Sequence, residues 1–246
     1  MELFDCNCGF GPYRTRVFRA ASTAADLVEQ MDFCGIGQAL VYHTAQRFYQ
    51  AALGNERLLT EIDGNPRLMP TLAILPSQTG EQCDLTTLLG QMKANRVRAL
   101  RLFPEDHRYF LDDVTWQDQM EVFAERRIPL LIKAGLDKIA TLLRAFPDLV
   151  VITGTAGGQP LDRYAWPLIE RYPSLHMDIS GYYIDGSIEE LCRRYGAGRL
   201  IFGSGFPDHA AGAALLSLAQ ADISEEDRRL ISSDNLSRLL AEASLE

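Results

Sequence analysis

Short runs of apolar residues alternate with amphipathic stretches along the whole chain. Some of these runs are almost continuously hydrophobic, such as Leu130–Ile132 and Leu149–Ile152. Continuous apolar runs are typical of strands in a parallel sheet that is buried on both faces. The pattern predicts eight strands, at Glu2–Cys6, Gln38–Tyr42, Leu68–Leu75, Val97–Phe103, Pro129–Ala134, Leu149–Gly154, Leu175–Ser180 and Arg199–Ser204.

Helical signals fill the intervals between these strands. Thr23 precedes the segment Ala24–Cys34, Asp26 lies in its first turn and Gly35 follows its last residue, as expected at the two ends of a helix. The same reasoning predicts helices at about Ala45–Ile62, Leu85–Ala94, Trp116–Arg126, Asp137–Arg144, Leu161–Arg171, Ile188–Tyr195 and Ala210–Leu218.

Eight strand–helix units with short turns predict a parallel sheet that closes into a (β/α)8 barrel. The chain has 246 residues, close to the ~250 that are typical of this fold. The last segment, Ser224–Leu240, predicts a helical C-terminal extension, and the sequence shows no linker or fixed-period repeat. We therefore expect residues 1–246 to form a single TIM-barrel domain of the α/β class.

Composition limits the classes of partner. The formal net charge is −9, whereas binding to nucleic acid requires a basic face. No run approaches the 18 or more apolar residues of a membrane span. Five cysteines in a chain without a secretory leader are typical of free thiols in a reducing compartment. We expect a cytoplasmic protein that binds neither nucleic acid nor membrane, and the sequence leaves a homo-oligomer open.

Active sites in such barrels lie at the carboxyl ends of the strands. If Asn7 faces this mouth, strand alternation turns Cys6 and Cys8 to the opposite side. The polar residues at the predicted strand ends are Lys133, His43 and Asp208 as candidates for catalysis, and Asn7, Arg101, Thr155, Ser180, Tyr182 and His209 as candidates for ligand binding.

Six sets of residues follow one another in a recognisable order. They are Asp5–Gly9, Gly54–Leu59 with Pro66–Leu68, Ile128–Gly135, Phe146–Leu149 with Thr155–Gly158, Phe202–Pro207 and Asp234–Leu240. Over nearly the whole chain, this series resembles the amidohydrolase superfamily, in particular its amidohydrolase-related, decarboxylase-like branch. The resemblance implies a TIM barrel, a divalent metal that activates water and an Asp on strand eight that acts as the base.

The resemblance also implies where the metal ligands would lie, and the chain departs from the family pattern at each place. Asn7 and Gly9 stand at the two His positions of the first strand. Lys133 and Thr155 stand at the His positions of strands five and six, and Gly205 at the Asp position of strand eight. None of the five is a usual ligand of a transition metal. We therefore expect no metal and no other cofactor at these positions.

Two questions about the mouth stay open at this point. Asp208, His209 and His43 could hold a relocated ion, although a competent site needs three or four converging ligands. Lys133 could face a small anionic ligand, or it could pair with a carboxylate such as Asp178.

Three hypotheses about function follow. The first is a metal-independent hydrolase or lyase of a small anionic carboxylate or lactone, in which Lys133 or His43 transfers a proton and Arg101 holds the carboxylate. The second is a non-catalytic barrel that binds a small ligand or a partner. The third is a conventional metal hydrolase with a relocated ion. The expected partner is a small anionic molecule in the barrel mouth.

Overall fold

Parallel strands surrounded by helices make up the structure. This computed structural model describes residues 1–13, 20–154, 162–182 and 186–246. In those ranges the strands are β1 (Phe4–Phe10), β2 (Gln38–His43), β3 (Leu68–Pro70), β4 (Leu72–Ala73), β5 (Leu100–Leu102), β6 (Leu130–Ile132), β7 (Val151–Gly154), β8 (Leu175–Asp178) and β9 (Leu200–Ile201). The helices are α1 (Ala24–Cys34), α2 (Thr44–Phe48), α3 (Ala51–Glu61), α4 (Leu85–Ala94), α5 (Pro104–His107), α6 (Asp113–Glu125), α7 (Leu136–Ala145), α8 (Asp162–Arg171), α9 (Ser187–Tyr195), α10 (Ala211–Gln220), α11 (Glu225–Arg229) and α12 (Asn235–Glu242). None of these described helices is long and apolar enough to cross a membrane.

The strands close into a barrel through two parallel sheets, one formed by β1 to β3 and the other by β4 to β9. β3 and β4 are halves of one barrel strand, because the N–H of Thr71 between them still donates to the carbonyl oxygen of Val41 at 3.1 Å. On the far side, the N–H of Cys6 in β1 donates to the carbonyl oxygen of Phe202 at 2.9 Å, directly after β9. The predicted (β/α)8 barrel is confirmed.

Alternate residues of each strand face the barrel axis, as the two-residue period of a strand requires. The residues in or directly before the strands that pack together there, which we call the interior cluster, are Phe4, Cys6, Leu40, Ala99, Leu131, Val150, Ile152 and Ile201. A larger outer cluster fills the space between strands and helices and includes Val41, Leu27 and Met31. Two residues beyond Leu40, Ala99 and Leu131, the same alternation places Tyr42, Arg101 and Lys133 at the carboxyl end of the barrel.

An irregularity in β1 changes which side chains face the axis. The pairing of β1 with β2 shifts between Asp5 and Cys8, and such a bulge interrupts strict alternation. Cys6 therefore packs in the interior cluster and Cys8 in the outer cluster. The expectation that both cysteines lie on the side opposite Asn7 is wrong for Cys6, because the bulge turns Cys6 and Asn7 towards the axis together.

The C-terminal segment closes the amino-terminal end of the barrel. α11 continues through a π-helical turn at Leu230–Asp234 into α12. Three side chains of α12 join the interior cluster: Leu236, Leu239 and Leu240. The Nδ2 atom of Asn235 donates to the carbonyl oxygen of Leu200 at 2.9 Å. The extension predicted at Ser224–Leu240 is thus helical, and it forms part of the barrel core.

The helix predicted at Ala45–Ile62 is divided into α2 and α3. The two helices approach closely at Gly54, where an added Cβ would lie 2.1 Å from the backbone nitrogen of Gln46. The Nε2 atom of Gln46 also donates to Asn55 Oδ1 at 2.6 Å. Glycine at position 54 therefore fixes how α2, which begins directly after β2, is placed over the barrel mouth.

Gly54→Ala should lower the free energy of unfolding by about 1–3 kcal/mol, because the new methyl group overlaps the backbone of α2. Gly90 in α4 provides a matched control, since it is exposed and nothing lies within 4 Å of its Cβ position. Gly90→Ala should be neutral or stabilise the protein by up to about 1 kcal/mol. Urea unfolding measures both changes, and equal midpoints for the two variants would contradict the close approach.

Candidate active site at the barrel mouth

A cavity opens at the carboxyl ends of the strands and holds about 640 Å³ of empty space, including its open mouth. Six residues predicted from the sequence line it: Asn7, Arg101, Lys133, Ser180, Asp208 and His209. Its wall also contains aromatic and aliphatic side chains, namely Tyr42, Phe103, Leu131, Ile132, Ala134 and Ile152. Polar groups therefore converge on a partly apolar cavity, which is the usual composition of a small-molecule site.

The floor of the cavity is organised by Arg101, whose side chain is only 4% exposed. Its Nε atom donates to Thr71 Oγ1 at 2.8 Å, Nη1 donates to Asn7 Oδ1 at 3.0 Å and Nη2 donates to the carbonyl oxygen of Cys6 at 3.0 Å. The guanidinium also lies over the ring of Tyr42, at 4.7 Å from its centroid. Most donors of Arg101 are thus committed inside the barrel, so it holds the strands together rather than presenting a free fork to a carboxylate.

Asn7 connects this guanidinium to a buried carboxylate. Its Nδ2 atom donates to Asp178 Oδ2 at 3.0 Å, and Asp178 Oδ1 accepts from the backbone N–H of Ser180 at 2.7 Å. An amide that accepts from a cation on one side and donates to an anion on the other has a single satisfactory orientation. The floor is therefore a continuous hydrogen-bond network that runs from Thr71 to Ser180.

A second group of charges surrounds the mouth. Lys133 Nζ donates to Asp208 Oδ2 at 2.6 Å, and Arg47 Nη1 donates to the same oxygen at 2.9 Å. Arg47 Nε donates to Asp106 Oδ2 at 2.7 Å. Four charges of alternating sign thus tie together the segments that follow β2, β5, β6 and β9.

The environment of Lys133 changes its acidity. Burial, with a further contribution from the nearby charge of Arg47, lowers the pKa of Lys133 to about 8. Burial also raises the pKa of Asp208. An amine whose pKa lies close to neutrality exchanges its proton readily at physiological pH. Burial therefore favours the uncharged forms of both Lys133 and Asp208.

Two of the predicted residues, His43 and Tyr182, do not line the cavity. His43 caps α2, because its Nδ1 atom accepts from the N–H of Ala45 at 3.1 Å, and its ring packs edge-on against Phe10. Tyr42 faces the axis, so the next residue along β2 faces the helices. Tyr182 is 2% exposed and packs in the outer cluster.

The predicted residue Thr155 lies outside the described residues. Sequence reasoning missed two residues of the mouth, Tyr42 and Arg47. Tyr42 follows Leu40 in the inward-facing series of β2, so strand alternation held a signal for it. Arg47 lies on α2, away from any strand end, and no sequence pattern pointed to it. Asp178, considered as a partner for Lys133, contacts Asn7 instead.

The donor set of the described site does not fit a divalent metal. Among the side chains that the structure describes, no group of three or more His, Cys, Asp or Glu converges there. The guanidinium of Arg101 lies against the amide oxygen of Asn7 and would repel a cation. Because His43 faces the helices, the suggested ion site on His43, Asp208 and His209 is also wrong.

Neighbouring side chains fill the space beside two glycines of this region. A Cβ on Gly9 would lie 2.4 Å from a ring carbon of Tyr42, and a Cβ on Gly205 would lie 2.7 Å from Cδ2 of His209. Gly205 also has a φ of +66°, a conformation that favours glycine. Side chains that reach towards a metal from these two positions would require Tyr42 or His209 to move.

Comparison with known proteins identifies the family of this chain. A family model described as Amidohydrolase matches residues 19–241. The chain belongs to this amidohydrolase family. No match was found among curated proteins.

Several solved structures share the fold of this chain. An uncharacterized TIM-barrel protein from Bordetella bronchiseptica has a TM-score of 0.78 at 16% identity, with 99% of each chain covered. A dihydroxybenzoic acid decarboxylase from Polaromonas sp. JS666, solved with manganese and the inhibitor 2-nitroresorcinol, has a TM-score of 0.76 at 16% identity, covering 98% of this chain and 97% of that one. A protein from Pseudomonas putida, assigned as a 2-pyrone-4,6-dicarboxylic acid hydrolase, has a TM-score of 0.74 at 18% identity, covering 99% and 98%. At these identities the comparisons show the fold alone.

Arg101→Met should lower the free energy of unfolding by about 3–5 kcal/mol, because it leaves several buried polar groups without their partner. Arg98 is a control near the opposite end of the same strand, since it is exposed and donates to the carbonyl oxygen of Ala243 at 2.9 Å. Arg98→Met should cost less than about 1 kcal/mol. Urea unfolding distinguishes the two, and similar losses would show that the network does not depend on Arg101.

Proposed function

We propose that this amidohydrolase-family chain is a metal-independent hydrolase of a small anionic carboxylate or lactone, in which Lys133 transfers the proton. One observation carries the proposal: Lys133, with a pKa lowered to about 8, contacts Asp208 at 2.6 Å in the mouth of the cavity. Perturbed ionisable groups in a cleft are frequent at active sites. Asp208 stabilises the ammonium form of the lysine through this contact.

For a lactone, the residues present supply a balanced sequence of proton transfers. Neutral Lys133 takes a proton from a water molecule while the water oxygen forms a bond to the carbonyl carbon. The resulting ammonium then returns the proton to the ring oxygen while the bond between carbon and ring oxygen breaks. General acid–base catalysis of this kind contributes about 10²–10⁴-fold, so the proposal favours lactones whose leaving group is already stabilised.

A lyase reaction uses the same proton carrier. Protonated Lys133 would deliver its proton to the carbon that loses a carboxyl group as carbon dioxide. The decarboxylase and the assigned lactone hydrolase among the structural neighbours support both reaction types on this fold. We place hydrolysis first, since a neutral amine near pH 8 suits the activation of water.

The cavity and the cysteines indicate the kind of substrate and the cellular compartment that we propose. A cavity with polar groups on one side and apolar groups on the other suits a small, partly apolar anion. All five cysteines are free thiols in the structure, which supports a reducing, cytoplasmic location.

Lys133→Met should lower kcat by at least about 100-fold on any lactone or small carboxylate that the protein converts, because the proton carrier is lost. Lys138→Met is the matched control: both lysine side chains are 46% exposed and each pairs with a carboxylate, but Lys138 does not line the cavity. Product formation across a substrate panel measures the effect. Equal turnover by the two variants would exclude Lys133 as the proton carrier.

The pH profile tests the role of the amine directly. If neutral Lys133 is the base, kcat/KM should increase as the pH rises through about 8 and level off above it, because the neutral form dominates above the pKa. Initial rates between about pH 6 and 10 would show this limb. A rate that falls with increasing pH in this interval would assign Lys133 to the protonated form and favour the lyase reaction.

One observation favours a second candidate, a non-catalytic barrel that binds a small ligand. Asp208 already accepts from both Lys133 and Arg47, so these cations are paired without any substrate. Such a protein should gain thermal stability from small carboxylates without converting them. Differential scanning fluorimetry with product analysis on the same samples decides between the candidates, because saturable product formation would exclude a purely binding role.

A further inference from the structure

A carboxylate of the protein lies between two cations at the mouth. Asp208 Oδ2 accepts from Arg47 Nη1 at 2.9 Å and from Lys133 Nζ at 2.6 Å. Two cations that converge on one oxygen form the kind of site that recognises a carboxylate. Asp208 thus stands where the carboxylate of a ligand would be expected to lie.

Arg47 is also held by contacts that do not involve Asp208. Its Nε atom donates to Asp106 Oδ2 at 2.7 Å, and its guanidinium lies 4.6 Å from the centroid of the Phe48 ring. Arg47 lies just behind Asp208 and is not itself part of the cavity lining, and these contacts keep its side chain oriented towards Asp208 even when Nη1 changes its partner. A preoriented arginine loses little conformational freedom when it binds an anion.

The wall of the cavity indicates what the carboxylate is attached to. The ring centroids of Tyr42 and Phe103 lie 5.7 Å apart. Both residues line the cavity together with Leu131 and Ile152. A small apolar or planar body would bury its surface against these side chains. The ligand class is therefore a carboxylate on a small apolar body.

We propose that Arg47 anchors the carboxylate of the ligand, and that Asp208 is an internal carboxylate that holds this position until the ligand replaces it at Arg47 Nη1. Asp208 stays paired with Lys133 during this exchange, so the proton-transfer pair is kept intact. One carboxylate replaces another, and the exchange adds no unpaired charge to the site. This inference rests on the proposed function for the choice of cavity, and it is tested by binding alone.

The test uses benzoate, a carboxylate on a planar apolar body, and its uncharged amide benzamide, with isothermal titration calorimetry on the full chain. Asp208→Asn removes the competing carboxylate, so benzoate should bind about five- to tenfold more tightly while benzamide binding stays unchanged. Asp32→Asn is the matched control, because Asp32 contacts Arg67 at 2.7 Å outside the cavity lining. Unchanged or weaker benzoate binding by Asp208→Asn overturns the proposal.

Double variants identify which cation receives the ligand. The gain seen in Asp208→Asn should disappear when Arg47→Met is added and should persist when Lys133→Met is added. The opposite pattern would assign the anchor to Lys133 and overturn the assignment to Arg47. Arg47→Lys, added in place of Arg47→Met, should restore part of the gain, and matching unfolding midpoints show that the variants are folded. Since benzoate need not react, a protein without turnover still gives a clear answer.

Discussion

The guanidinium of Arg101 must find its hydrogen-bond acceptors inside the barrel, because a buried cation without partners costs more than a domain of this size can tolerate. It finds them on the bulged first strand, at Cys6 and Asn7, and on Thr71 between the two halves of the third barrel strand. Asn7 then extends the network to Asp178 on the opposite side. The relative positions of these strands at the carboxyl end thus depend on one side chain.

The charged groups on the floor of the cavity and those at its mouth differ in how firmly their partners are held. The floor is buried, and each polar group named there contacts a partner that the barrel itself holds in place. At the mouth, part of the Lys133 side chain reaches solvent, and Asp208 lies in the connection between β9 and α10. Solvent weakens such contacts, so pairs at the mouth can exchange partners while those on the floor are retained. This division separates the support of the fold from the chemistry that we propose.

Sequence pattern predicted the barrel because the buried parallel strands are nearly continuous apolar runs, and it placed α1 and α4 at the bounds that the structure has. It missed the bulge in β1, since a shift in hydrogen-bond pairing leaves no trace in hydrophobicity. His43 was placed at the mouth because it ends a strand, whereas the alternation that starts from Leu40 selects Tyr42. Arg47 escaped prediction because its long side chain reaches the mouth from a helix.

The closure of the amino-terminal end of the barrel by α12 has a consequence for synthesis. Leu236, Leu239 and Leu240 belong to the interior cluster, yet they are translated after every strand that they pack against. The eight barrel strands therefore emerge from the ribosome before these three side chains. Until α12 follows, one end of the apolar interior stays open to water. Completion of the barrel therefore waits for α12, and until then the strands expose the surface that chaperones recognise.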